Sequence, residues 1–188
     1  MDNSNHKEIL EKIDGSVRGS LEGILGAPLT QNQWNQASLP VAMGELGLRQ
    51  ARSHGAAAYL SSIGELTLLV QEIRQQQEPQ GPEVVNAMAD LNDQLGDPIT
   101  FEELSILSQR SLSVMIDKET SNKLHQVTVV VRDQARLNCV EREGAGDWLN
   151  AIPSKNMGLH LKNSEFIFAV QYRLGIQVFT EEMECPMP

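Results

Sequence analysis

The chain has 188 residues and a mass of 20.8 kDa, a length for one domain or two small units sharing a core. Its 25 acidic and 15 basic residues leave a formal charge of −10, which repels phosphate and argues against a stand-alone nucleic-acid binder. Hydrophobic residues reach 40% but aromatics only 4%, which favours aliphatic helix packing over a β-sandwich. The two cysteines, Cys139 and Cys185, are too few and too far apart for a disulfide framework. The run Met1 to Glu8 is polar with no apolar stretch behind it, so no signal peptide is expected. The longest apolar stretches, around Leu66–Val70 and Val127–Val131, fall far short of the ~20 residues that cross a bilayer. These features lead to the expectation of an intracellular protein, cytoplasmic or nuclear, with reduced thiols and no membrane contact.

The first segment reads as a helix capped by Asn5, with Glu8 at capping-box spacing. Ile9, Ile13, Val17, Leu21 and Leu25 recur every four residues and suggest one buried stripe. Gly15, Gly19 and Gly23 share that interval. Simple tolerance or a close helix approach accounts for them, and a groove for a partner helix is the sharper alternative. Gly26 and Pro28 stop the helix. Thr30 with Gln33 opens a short second helix carrying Trp34, which Leu39-Pro40 ends. In Val41 to Arg49, two glycines three apart beside apolar residues suggest a tight, partly buried loop, and a phosphate cradle is excluded because the preceding strand and further glycines are missing.

Ala51 to Ser62 is an alanine-rich helical stretch, and Glu65 to Gln77 continues in helical period. Glu78-Pro79-Gln80-Gly81-Pro82 reads as a linker between two halves. Residues 1–100 hold 13 acids and 6 bases, whereas residues 101–173 hold 9 of each. Val84, Met88, Leu91 and Leu95 form the next stripe, closed by Gly96 and Pro98. Thr100 with Glu103 is a second capping box, opening a helix through Phe101, Leu104, Leu107 and Leu112 that runs on or breaks near Ile116. Glu119 to about Arg132 is expected to be helical with Leu124, Val127 and Val131 inward, although three consecutive valines suit strands better. Gln134 to Val140 extends that helix or begins another. Asp147 caps a turn or two of helix before Pro153, and Ser164 to Leu174 forms the last helix, closed by Gly175. Thr180 to Pro188 reads as a loose acidic tail.

Few residues carry chemistry. His6, His54, His125 and His160 sit in separate segments with no metal-ligand spacing. There is no nucleophile elbow, no His-Glu-x-x-His and no phosphate loop. Cys139 is expected to pack as a small apolar group. Arg136 and Arg173 stand out because each lies among apolar helical residues, as Ala135-Arg136-Leu137 and Tyr172-Arg173-Leu174. A structural salt bridge or helix-end contact is the favoured reading, and a nucleic-acid phosphate contact is the alternative.

Several short patterns then line up in order: Leu39-Pro40, Gly44, Leu46-Gly47-Leu48-Arg49 and Ala56-Ala57-Ala58-Tyr59-Leu60-Ser61-Ser62. Ser111-Leu112-Ser113 with Ile116-Asp117, Asp133 to Leu137, Trp148 to Pro153 and Arg173-Leu174-Gly175 follow. This ordered set resembles the helical region after the reverse transcriptase domain in non-LTR (LINE-like) retrotransposon polyproteins. It covers about Leu21 to Phe179, with Glu45 standing where that family has a second glycine. The resemblance implies a non-catalytic connector or thumb-like piece, without the polymerase aspartates or the nuclease. In the parent protein its partners are the reverse transcriptase and nuclease domains and the RNA or DNA backbone, with Arg49, Arg136 and Arg173 as contacts. Cys185 matches the first position of a Cys/His cluster that needs further ligands to hold a metal. The rival reading is a host helical module that docks an unknown protein partner.

The sequence therefore predicts an all-α, irregular array of about seven to nine helices in two packed halves, residues 1–77 and 83–179. The linker is 78–82 and the tail 180–188. No cofactor is implied.

Overall fold

The computed structural model describes residues 3–43, 45–74, 81–104 and 106–178. Among them are nine α-helices and no strand, so the chain is all-α as its aliphatic composition predicts. They are α1 (Asn3–Leu25), α2 (Gln31–Ser38), α3 (Ala51–Arg74), α4 (Pro82–Asn92), α5 (Phe101–Leu104), α6 (Gln109–Val127), α7 (Val131–Val140), α8 (Asp147–Asn150) and α9 (Asn163–Arg173). Single 3-10 turns occupy Val41–Met43 and Lys155–Met157. No described helix is long and apolar enough to cross a membrane.

The chain forms two compact units that interleave along the sequence. One holds Met1–Val17 with Leu48–Leu124, and the other Arg18–Gly47 with His125–Pro188. The helices on either side of the expected linker, α3 and α4, both belong to the first unit and pack on each other. The linker itself lies mostly outside the described residues, as do Gly44 and the tail with Cys185.

In the first unit, α3 packs on α4 and α5 over a core of Ala57, Leu60, Val84, Leu91, Leu95, Ile99, Leu104, Leu112 and Ile116. The Thr100–Glu103 capping box forms as read, with Thr100 N–H donating to Glu103 Oε2 at 2.7 Å and Glu103 N–H to Thr100 Oγ1 at 3.3 Å. The helix it opens stops at Leu104, well before Ile116. A new one starts after Ser108, whose hydroxyl accepts from Ser111 N–H at 3.1 Å. Gly55 admits α1 closely, since a Cβ there would stand 2.9 Å from Leu10 Cδ1.

The first helix corrects its own reading. It starts at Asn3, two residues before the expected Asn5 cap. Ile9, Ile13 and Val17 are 49%, 47% and 37% exposed, and only Leu21 and Leu25 are buried. A strict four-residue repeat outruns the 3.6-residue turn, so the stripe precesses around the helix by ~40° per step. Asp14 is among the residues turned in. Its carboxylate accepts from the N–H groups of Ala51 at 2.6 Å and Arg52 at 2.9 Å, capping α3 from a different helix. Gly15, Gly19 and Gly23 are exposed, and a Cβ at any of them would meet nothing within 4 Å, so no close helix approach uses them.

In the second unit, the capping box of Thr30 and Gln33 forms, and Leu39-Pro40 ends α2 as predicted. Glu22 accepts from Leu29 N–H at 2.8 Å and from Arg18 Nε at 3.2 Å, which holds its carboxyl below the usual carboxylate range and pins the turn after α1. Leu21, Leu25, Leu29, Trp34, Ala37, Leu39, Leu137, Val140, Val170 and Leu174 are buried. The valine run breaks the helix expected through Arg132. Residues 128–130 are non-helical, and Val127 and Val131 are exposed instead of turned inward. β-Branched side chains crowd the preceding helical turn, and here no core compensates them. Gly146 rather than Asp147 occupies the cap position of α8. Cys139 is exposed, not packed, because it lies on the outer face of α7 while Leu137 and Val140 face in.

The cap from Asp14 predicts a local effect. Asp14→Ala should cost the first unit about 1 kcal/mol, the usual worth of a cap. Hydrogen exchange at the Ala51 and Arg52 amides should speed up by roughly fivefold, the factor that energy represents. Unchanged exchange there would show that the carboxylate does not hold the helix end.

Candidate functional site

Of the three arginines singled out by sequence, Arg136 and Arg173 meet in the second unit, and Arg49 lies in the first. Arg173 is at the end of α9 and its side chain is 8% exposed. Its Nη1 donates to Ala145 O at 3.1 Å and its Nη2 to Val140 O at 3.2 Å, so it satisfies carbonyls at and beyond the end of α7. Its Nε faces Glu45 Oε2 at 3.7 Å. Arg136, on α7, donates from Nη1 to Gln36 Oε1 at 3.0 Å and also to the Arg173 carbonyl. Gln36 completes the circuit. Its Nε2 donates to Glu45 Oε1 at 2.8 Å and to Arg173 O at 3.0 Å.

Gly175 is what lets Arg136 lie there. Its φ is +68°, and a Cβ would stand 2.8 Å from Arg136 Nε and Nη2. Any side chain would be strained by the backbone and would displace the guanidinium.

Glu45 is 1% exposed, and burial pushes its carboxyl up to about 7. The Gln36 hydrogen bond and the charges of Arg173 and Arg136 oppose that rise, while Glu141 adds to it. Glu141 itself accepts from His125 Nε2 at 2.9 Å. Burial also draws the Arg173 guanidinium below its ordinary range, and Glu45 acts against that. Glu45 Oε2, Arg136 Nε and Arg173 Nε make no hydrogen bond, so the pairing is incomplete on both sides of the cluster.

The first unit holds a smaller counterpart. Asp117 on α6 is 3% exposed and accepts from Arg49 Nη2 at 2.9 Å. Its other oxygen lies 3.2 Å from His54 Nε2, and His54 Nδ1 lies 3.2 Å from the Gln50 carbonyl. Arg49 keeps 44% of its side chain exposed, unlike Arg136 and Arg173.

Sequence reading gave no buried polar role to Gln36, Glu45, His54 or Asp117, although it named the last three. Two of them carried a signal: Glu45 is a lone acid in an apolar loop, and Asp117 adjoins Ile116 on the Leu112–Leu124 face of α6. Nothing marked Gln36. Among the described residues, no group of three or more His, Cys, Asp or Glu side chains is placed to hold a metal ion. The two clusters supply buried charge and helix-end contacts, with no nucleophile set against a base.

The surface of the second unit differs in kind. An open trough of about 880 Å³ runs between the end of α1, α8 and the start of α9. The Trp148 and Phe166 rings meet edge to face in it, 6.0 Å apart at 67°. No protein-family model, curated protein or solved structure matches the chain.

The Glu45 carboxyl sets a pH dependence. Folding raises its affinity for a proton from the ordinary 4.5 to about 7. Its favourable contribution is therefore complete below 4.5 and is lost as pH rises through 7, a swing of about 3 kcal/mol. Both tryptophans, Trp34 and Trp148, lie in the second unit, so their fluorescence reports its unfolding. Urea midpoints should fall between pH 5 and pH 8, and Glu45→Gln should flatten that slope. Arg173→Met should cost about 3–5 kcal/mol at pH 8, where it strands the carboxylate, and less at pH 5. A cost independent of pH would separate Arg173 from Glu45.

Proposed function

We propose that the chain is a non-catalytic helical connector of the kind that braces the reverse transcriptase domain against the nuclease module in non-LTR retrotransposon proteins. One observation carries the reading. The ordered patterns that resemble this family supply the arginines of both buried polar clusters, together with Asp117 and Gly175. Arg49 comes from the Leu46–Arg49 pattern and Asp117 from the Ile116-Asp117 pattern. Arg136, Arg173 and Gly175 come from the two later ones. Patterns whose polar residues tie segments far apart in the chain to one another encode a scaffold, and a scaffold is what a connector has to be.

This reading also divides the three arginines. Arg136 and Arg173 hold protein acceptors and act as positioning residues. A nucleic-acid backbone contact falls to Arg49, whose side chain is the more exposed. The rival reading, a host helical module that docks a protein, draws its support from the trough on the second unit.

Translation of the genomic DNA on both sides of the coding segment separates the two. A polymerase palm with paired aspartates upstream in frame, and a Cys/His cluster downstream, is the expected result. Unrelated flanks interrupted by introns would overturn the connector reading and leave the docking module.

A further inference from the structure

We propose that a cavity on the first unit binds a free α-amino acid with an aliphatic side chain. The cavity measures about 310 Å³ and is lined by residues of α1, α3 and α4, all of them within that unit. That size stands at the small end for ligand sites and suits a metabolite better than a peptide or a nucleic acid.

Small residues open the space. Gly55 and Ala56 of α3 and Ala87 of α4 line it, and Leu10 of α1 packs so close to Gly55 that a Cβ there would stand 2.9 Å from Leu10 Cδ1. Tyr59, 40% exposed, completes the apolar lining. An aliphatic side chain set against these groups leaves water, which is the favourable part of binding.

The charges along the wall define the rest of the ligand. Lys7 and Arg52 are positive, Glu83 and Asp90 are negative, and His6 completes the polar lining. The two signs balance, although the whole chain carries −10. A simple anion or cation would meet as many like charges as opposite ones, whereas a zwitterion sets each end against its opposite. A group stands ready for each end. The side chain of Arg52 meets Glu11 at 3.6 Å, too long for a hydrogen bond and partly in solvent, so its planar fork is placed to take a carboxylate. Lys7 Nζ donates to Asp90 Oδ1 at 2.6 Å and so fixes that carboxylate across two helices. Asp90 Oδ2 and the Glu83 carboxylate are the acceptors for an ammonium. The assignment stands apart from the connector reading, because it uses only this cavity.

The test titrates the full chain with three probes, followed by two-dimensional amide NMR. They are L-leucine, isocaproate, which lacks the ammonium, and isoamylamine, which lacks the carboxylate. L-leucine should shift the amides of Gly55, Ala56 and Ala87 saturably, and each of the other probes should bind about tenfold more weakly or less well still. Arg52→Met should weaken L-leucine about tenfold and leave isoamylamine unchanged. Glu83→Gln should weaken L-leucine and leave isocaproate unchanged. Ala87→Leu should fill the cavity and remove binding of all three. No saturable shift with L-leucine would overturn the proposal. Isocaproate binding as tightly as L-leucine would make this an anion site, and isoamylamine doing so a cation site, and either would overturn it. So would L-leucine binding that Arg52→Met and Glu83→Gln both leave unchanged.

Discussion

A guanidinium that leaves water must find acceptors for its N–H groups, and the second unit is arranged around how Arg173 finds them. Two of its groups go to the carbonyl of Val140, which the end of α7 leaves without a helical partner, and to that of Ala145 in the turn beyond it. The arginine thus gains acceptors, and α7 gains a C-terminal cap with the favourable charge for that end of a helix. The Arg173 carbonyl in turn receives Arg136 and Gln36. Two residues earlier, Gln171 Nε2 donates to the carbonyl of Leu25 at 2.8 Å. The last turn of α9 therefore serves the ends of α1 and α7 together. Removing it would leave carbonyls at the ends of two helices without these donors.

Glu45 is the cost of that arrangement. Neutralising a buried guanidinium calls for a buried carboxylate, and desolvation of that carboxylate is the largest influence on its proton affinity. The 3.7 Å separation of Glu45 Oε2 from Arg173 Nε leaves the pair close but without a hydrogen bond. A charge pair so incompletely joined adds little net stability, because the cost of taking both charges out of water is only partly repaid by hydrogen bonds. The first unit uses carboxylates differently. Asp14 is spent on the amides that open α3, and Asp117 joins α6 to Arg49 and His54. Both carboxylates converge on the start of α3, Asp14 on its first amides and Asp117, midway along α6, on Arg49 and His54 beside them.

That distinction explains which parts of the molecule were legible in the amino-acid sequence. Local signals were read well. The Thr30–Gln33 and Thr100–Glu103 boxes, the Leu39-Pro40 stop and the Gly175 cap all act within a few residues of the chain, and each is found where its residues place it. The helical class followed from aliphatic composition. Long-range polar contacts were not legible. The cap on Ala51 comes from Asp14, 37 residues away, and Gln36 meets Arg136 100 residues away. A search for apolar stripes passes over such positions, because it scores Asp14 and Asp117 as solvent-facing. The valine run failed for the opposite reason. Its residues look like core, but the core they would need is absent, and propensity then ended the helix.

The same logic bears on the arginines. A lone arginine among apolar residues signals either a ligand contact or an internal one, and composition does not choose between them. Burial does. At 8% and 13% side-chain exposure, Arg173 and Arg136 already hold carbonyl and amide oxygens that a phosphate would have to displace. Such a displacement would leave the end of α7 and the Glu45 carboxylate unpaired, at a cost a single backbone contact does not repay. Both side chains therefore act from within, on the shape of the second unit. Arg49 is the one of the three with much of its side chain in solvent, 44%, and it too is held by a carboxylate, Asp117 at 2.9 Å.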